Sequence, residues 1–269
     1  MVSEILQNKL DRLRGFLSDM ESVLVAYSGG IDSTLVLKIA HEQLGERALG
    51  ITAVSPTFSE IEFATAARVA QEIGARHEIV QTDQLAVPAF VQNDSSRCFH
   101  CKTDLYQLMG SLREPRSSRW IADGTNLDDL GDDRPGIAAA RQLGVRSPLV
   151  EAELSKAEIR TLAQALGLSN WDKPAAACLS SRIPRGTPIT VEKLWRVEQA
   201  EGILLAEGFR HVRVRDHGEI ARIEVSVEDF ARFHESVRRE RISAQLRKVG
   251  FRFVCVDLEG YRPGGVSLG

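Results

Sequence analysis

The sequence predicts an α/β protein: a doubly wound, mostly parallel sheet with a second, smaller α+β domain after it. Three observations carry this. Short apolar runs alternate with helix-length segments through the first part of the chain, which is the pattern of strands buried on both faces. A Gly-Gly turn follows the first of those runs. Composition then changes at Ser169–Pro174, and Pro184–Pro188 punctuates the chain again before a new set of elements begins.

Taken in order, residues 22–27 read as a buried parallel strand, followed by the glycine turn and a helix from Thr34 to Leu44. Ala48–Val54 is a second strand, Ile61–Ile73 a helix, His77–Val80 a third strand and Trp120–Asp123 a fourth. Ser155 to Leu166 reads as a helix whose Ser155 and Glu158 have the spacing of a capping box. Beyond Pro188 come a helix over Val191–Glu207 and strands over His211–Arg215 and Glu219–Val225. Asp216-His217-Gly218 would be their hairpin connection. A helical stretch over Val227–Val249 and a strand over Phe251–Val256 complete the chain. The expected organisation is residues 1–170, a loop and linker over 171–188, and a small domain over 189–269.

Of 269 residues, 43% are hydrophobic and 26% charged, a soluble globular profile with material for a sizeable core. The net charge of −3 argues against a nucleic-acid coat or an anionic membrane surface as partner. No stretch reaches the apolar length of a membrane span. The first twenty residues form an amphipathic, mixed-charge helix pattern without the order of a signal peptide, so a cytoplasmic location is expected. Four cysteines in such a chain do not make a disulfide framework. Cys255, in the apolar run Phe253–Val256, reads as a small core residue in a strand.

The string SGGIDST, Ser28 to Thr34, directly follows the first strand and opens a helix. Gly29 and Gly30 let backbone amides approach an anion closely. Ser28, Ser33 and Thr34 add hydroxyl donors, and the helix start adds its partial positive charge. Asp32 would repel a phosphate, so its place beside a polyphosphate makes sense as a Mg²⁺ ligand. The bland alternative is a helix cap after a flexible turn. Asp123 to Asp129 follows the fourth strand and should emerge at the same sheet edge, with Gly124 and Thr125 nearest the nucleotide. Asp128 and Asp129 read equally well as a solvated acidic loop.

SGGIDST is the signature of the N-type ATP pyrophosphatase (PP-loop) family, which the chain resembles over its first 170 or so residues. The resemblance implies an adenine nucleotide alpha-hydrolase-like fold and ATP cleavage between the α and β phosphates, with AMP joined to an acceptor oxygen. It also implies an adenine contact at Ala53, at the end of the second strand. The GxxxxGK[ST] loop of β–γ chemistry is absent, which argues against a kinase or motor.

Cys98 and Cys101 form a CxxC pair, and Cys178 stands in a polar loop. Such a pair can be a redox dithiol, half of a zinc site or part of an iron–sulfur site. A thioredoxin-type dithiol opens the helix after the first strand of its own fold, and this pair does not. No second CxxC completes a zinc site, and His100 lies between the two cysteines. What remains is a three-thiolate set with Cys178, or simple thiols. Three thiolates on a [4Fe-4S] cluster would leave one iron open to carry sulfide.

The segments YSGGIDSTLVLKIA, DDRPGIAAARQLGVRSPL, NWDKPAAACLSSRIPRGT and HVRVRDHGEIARIEV together resemble the LarE family of sulfur transferases, over most of the chain. That resemblance implies adenylylation of pyridinium-3,5-dicarboxylate mononucleotide and conversion of its carboxylates to thiocarboxylates, in nickel-pincer nucleotide synthesis. One branch sacrifices a cysteine of the loop as sulfur donor, and another uses three cysteines and a cluster. Aligned on the SSR triplet, the sacrificial position falls at Ala177, one residue before Cys178. A loop absorbs such a shift, so sacrifice of Cys178 stays open, but the CxxC pair favours the cluster branch, with Cys178 as ligand. The expected catalytic set is Cys178, Asp32, Arg182 and Glu201, the last matching an acidic position that could hold a metal or a proton. Arg213 and Arg215 alternate on one strand face and suit the substrate phosphate. The expected partners are a small nucleotide and sulfide or another sulfur donor, with a homo-oligomeric state. A tRNA thiolase, an amide-forming adenylylating ligase and an ATP-sensing protein without turnover are the rival readings. The acidic balance and the absence of a glutaminase domain weigh against the first two.

Overall fold

The computed structural model describes residues 2–131, 135–174 and 177–262. Their packing separates two units, residues 1–84 with 96–176, and residues 85–95 with 177–269. In the first, α1 (Glu4–Ser18) buries Leu6, Leu10, Leu13 and Leu17, a single stripe at helical spacing. There follow β1 (Val23–Ala26), α2 (Ile31–Leu44), β2 (Ala48–Val54), α3 (Glu60–Glu72) and β3 (Arg76–Gln81). After α4 (Pro88–Val91), which belongs to the second unit, come α5 (Arg97–Arg113), β4 (Trp120–Ala122), α6 (Pro135–Gln142), α7 (Pro148–Glu151) and α8 (Lys156–Ala165).

The four strands are parallel in the order β3-β2-β1-β4. Alternation along them divides the core. Val23 and Val25 of β1 face one cluster with α1, α2 and α8, while Leu24, Leu49, Ile51 and Ile121 face another with Tyr106 and Met109 of α5. The sheet is therefore covered by helices on both faces, as the apolar strand runs predict. Because β2 and β4 lie on opposite sides of β1, the chain reverses direction across the sheet there. The crevice at the carboxyl ends of β1 and β4 is the topological switch point where such folds bind ligands.

The second unit contains α4, α9 (Val191–Ala206), β5 (Val212–His217), β6 (Ile220–Val225), α10 (Ser236–Val249) and β7 (Phe253–Val256). β5 and β6 are antiparallel and β7 joins β6 in parallel, with α9 and α10 packed through Leu204, Ile242 and Leu246 onto Val214, Ile223 and Phe251. Asn93, fully buried in a left-handed conformation, donates from its amide to the carbonyls of Ile183 (3.3 Å), Pro184 (2.8 Å) and Thr187 (2.9 Å). That amide holds together the proline-rich turn that punctuates the sequence.

Several sequence expectations shift. The helix after the glycine turn begins at Ile31, not Thr34, because Gly30 is the extended N-cap and Asp32 already lies in the first turn. The hairpin turn is Gly218-Glu219, with Asp216 and His217 still in the strand; Gly218 takes φ +72° and Asp216 accepts its N–H at 2.8 Å. The stretch 227–249 is a 3₁₀ segment over Val227–His234 and then α10, divided at Glu235, whose backbone is extended. Cys255 does lie in a strand, but an edge strand, and is exposed rather than in the core. The helix α5 carrying the CxxC pair has no counterpart in the sequence reading.

Candidate active site

At the switch point the turn after β1 is shaped by two glycines of different origin. Gly29 has φ +68°, and a Cβ there would lie 2.6 Å from the Cα of Ala66 on α3. Gly124, in the loop after β4, approaches so closely that a Cβ would lie 2.7 Å from the backbone nitrogen of Ser33. The two loops are thus in backbone contact, and the start of α2 is closed over by the loop after β4. Ser33 Oγ accepts the Ser28 N–H at 3.3 Å and donates to the Gly30 carbonyl at 3.2 Å, which folds the turn onto the first turn of α2. Ser28 is exposed and Thr34 fully buried. Tyr27 anchors the loop from behind through its hydroxyl to the Ala66 carbonyl (3.1 Å), and burial pushes that phenol up to about 12. Ala53 stands half-buried near the carboxyl end of β2.

Asp32 has two partners. Its carboxylate is paired with the ammonium of Lys156, at the start of α8, and accepts from Asn126 Nδ2 at 3.3 Å. The α8 terminus is fixed by the full capping box of Ser155 and Glu158, as the sequence predicts, and Lys9 bonds Glu158 at 2.7 Å. Asp128 accepts the Lys156 N–H at 2.9 Å and Asp129 the Asn126 N–H at 3.0 Å, so both acidic residues brace the local backbone. Asp123, 4% exposed, accepts from Tyr106 (2.9 Å), Thr125 (2.8 Å) and Ser147 (2.8 Å), fixing the exit from β4. On the other side of the loop, the Gly29 carbonyl accepts from Asn170 Nδ2 (3.1 Å) and Lys173 Nζ (3.3 Å). Asn170 also reaches Thr34 Oγ1 at 3.0 Å, and Lys173 pairs with Glu62 at 2.7 Å.

Cys98 and Cys101 lie half-buried in the first turns of α5, three residues apart and so on one helix face. The pair therefore does open a helix, although after the third strand rather than the first. The Arg97 guanidinium stands 4.0 Å from Cys98 Sγ. Lys102 is held above the usual lysine range by Tyr106, Asp123 and Cys101, against partial desolvation. Both thiols thus have a cation beside them. Cys178 belongs to the second unit, is exposed, and precedes a 3₁₀ turn over Leu179–Arg182. Among the described residues no group of three His, Cys, Asp or Glu side chains is gathered as a metal site.

Within the second unit, Arg182 is 4% exposed and forms a two-pronged pair with Glu201, at 2.8 and 2.9 Å. It also donates to the carbonyls of Ala177 (2.6 Å) and Cys178 (3.0 Å), so it fixes the backbone at the cysteine. Burial opposes its charge, but Glu201 outweighs that and holds it above the usual range. The remaining pull on Glu201 is the Val214 N–H at 3.0 Å. Arg215 is buried against Glu224 and donates to the Ser181 carbonyl at 2.7 Å. Arg213 stacks on Tyr261 at 5.0 Å and is pushed down by burial and by Arg182. Two of the three arginines beside the cysteine turn are thus paired with glutamates, Arg182 with Glu201 and Arg215 with Glu224, and Arg213 lies next to them.

The asparagine synthase family matches residues 16–93, the stretch from the end of α1 through the phosphate turn to just past α4. Over 97% of the chain and 95% of the relative, the sequence is 39% identical to the pyridinium-3,5-bisthiocarboxylic acid mononucleotide synthase of Lactiplantibacillus plantarum. The chain belongs to the LarE family. It is also 46% identical to an uncharacterised protein of Synechocystis sp., over 98% of both chains, and 30% identical to one of Methanocaldococcus jannaschii, over 94% of the chain and 97% of the relative. As a LarE-family member it is an ATP-dependent sulfur transferase. Sequence reasoning reached the backbone of the nucleotide loop. It missed Asn126, Lys156, Asn170 and Lys173, which tertiary structure brings onto that loop. Lys173 stood inside the quoted NWDKP string, and Lys156 directly behind the capping serine, so both were visible but without a stated task.

Proposed function

We propose that the protein adenylylates a carboxylate of pyridinium-3,5-dicarboxylate mononucleotide and replaces that oxygen by sulfur, on the route to a nickel-pincer nucleotide. The observation that carries the ATP half is the amide-rich Gly29-Gly30 turn at the switch point, closed by Gly124 and with Asp32 beside it. The substrate half is supported by the 39%-identical synthase, whose name states its product.

In the first step a substrate carboxylate oxygen attacks the α phosphorus, the bond to the β-phosphate oxygen breaks, and pyrophosphate leaves. The Gly30 and Ser33 amides at the start of α2, with the Ser28 and Ser33 hydroxyls, stabilise the phosphate charge. Asp32 would hold Mg²⁺, whose chemistry is charge neutralisation on the polyphosphate; a carboxylate with one amide and one ammonium neighbour fits that task. In the second step sulfide attacks the acyl carbon and AMP departs with the former carboxylate oxygen. Activation is needed because an oxide is a poor leaving group and AMP a good one.

Cys98, Cys101 and Cys178 would hold a [4Fe-4S] cluster, which when bound supplies the sulfide. Two thiols on one helix turn with cations beside them fit thiolate ligation, and Arg182 fixes the backbone of the third. Arg213 and Arg215 would orient the substrate phosphate, and Arg182 with Glu201 the cysteine turn. A homo-oligomer in the cytoplasm belongs to the same proposal. The structure contains no helix long and apolar enough to cross a membrane among its described residues.

The test is anaerobic purification, iron and sulfide analysis, and turnover with ATP and the dicarboxylate nucleotide. Release of AMP and pyrophosphate, a thiocarboxylate product and an unchanged protein mass are expected. A protein mass lowered by H₂S at Cys178 would replace the cluster by sacrifice of that residue. Thiolation of tRNA in place of the nucleotide would overturn the substrate.

A further inference from the structure

The phosphate turn carries no lysine of its own, yet a departing pyrophosphate needs more positive charge than backbone amides supply. From the geometry we infer that Lys156 is the cation of that step: it pairs with Asp32 at rest and transfers to the β and γ phosphates when Mg–ATP binds. This rests on the adenylylation reading above.

Three features support the assignment. Lys156 is the first residue of α8, and its backbone is held on every side, by the capping box, by Asp128 and, through Glu158, by Lys9. Its side chain is not confined in the same way: it is 27% exposed and pairs with Asp32, itself 22% exposed. A fixed base with a partly exposed head suits an ammonium that changes partner. The second feature is charge. Asp32 lies in the first turn of α2, at the mouth of an anion-binding turn, and unneutralised it would repel the nucleotide. Lys156 neutralises it at rest. Once Asp32 faces a divalent cation instead, the Lys156 charge is surplus, and the nearest anion is the polyphosphate. The third is alignment. Asn126 holds the other carboxylate oxygen of Asp32 at 3.3 Å, so the carboxylate keeps its orientation while its ionic partner is exchanged.

Equilibrium binding separates this role from a structural one. With Mg²⁺ present, Lys156→Met should weaken α,β-methylene-ATP by about 10- to 100-fold and leave AMP unchanged, because only the former carries the β and γ phosphates. The rate of ATP–pyrophosphate exchange should fall by about 100-fold or more. Lys156→Gln, a shorter polar replacement, should behave alike and guards against a folding defect in the first variant. Unchanged binding of α,β-methylene-ATP would overturn the assignment, as would an equal loss for AMP, which marks general damage to the pocket. If the unsubstituted protein binds neither nucleotide, the adenylylation reading itself fails. If it binds both and the variants follow it, only the role of Lys156 fails.

Discussion

Gly29 shows how much a single missing side chain decides. Its φ of +68° strains any L residue, and a Cβ would meet the Ala66 backbone at 2.6 Å. The left-handed conformation alone costs a non-glycine residue about 1–2 kcal/mol, and the clash adds to it because Ala66 sits inside a helix. Gly29→Ala should lower the urea midpoint and abolish detectable ATP binding by calorimetry; retention of wild-type affinity would mean that the turn can open without loss. The glycines were legible in the sequence because a local string following an apolar run prescribes them. The contacts of Asp32 were not. Lys156 lies 124 residues away and Asn126 lies 94 away, and no local pattern assigns a partner across such separations. Arg182 and Glu201 were expected as site residues, but not that they form one buried pair that also holds the carbonyls at Ala177 and Cys178.

Among the elements, strands and amphipathic helices followed the sequence closely. β2 occupies Ala48–Val54 as predicted, because a run buried on both faces has no competing reading. The less regular segments did not. α5 has mixed polarity and little amphipathic contrast, so its first turn, with both cysteines, gave no periodic signal. The stretch 227–249 has helical composition but breaks at Glu235. α8 is the case in which one motif predicted a terminus fully, Ser155 and Glu158 bonding reciprocally. Ser155→Ala should cost about 1 kcal/mol of stability, read as a lower denaturant midpoint at unchanged slope. A midpoint equal to that of the parent would show that Asp128 and Lys9 hold the terminus unaided.

For the whole molecule, acid sensitivity follows from a half-buried imidazole, that of His77. Thr52 donates its hydroxyl proton to the Tyr27 carbonyl at 2.8 Å, so His77 Nε2, 2.7 Å away, is the donor to Thr52. Burial holds His77 below the ordinary 6.5, and His217 is depressed in the same direction by burial and neighbouring arginines. In the unfolded chain both take up a proton near 6.5, while the folded chain resists it. Stability is therefore complete above 6.5 and falls as pH drops from there toward the depressed folded values. Glu78, lowered by Arg116, and Glu158, where burial is outweighed by Lys9 and Ser155 together, lose their contribution only below the ordinary 4.5. Chemical denaturation between pH 7.5 and 5.5 should thus show a decline that His77→Gln makes shallower; parallel slopes would exclude His77 as a source.

Asn93 carries a consequence for how the chain is made. Its three carbonyl acceptors lie 90 to 94 residues downstream, and residues 85–95 belong with 177–269. The smaller unit is thus discontinuous, and during synthesis its first piece emerges with nothing to bind until Ile183–Thr187 has left the ribosome. The larger unit is interrupted by that piece, and no single cut frees either of them. A fragment ending near residue 170 keeps the nucleotide turn but strands Asn93, so isolated halves obtained by simple truncation are the wrong reagents for dividing ATP activation from sulfur delivery.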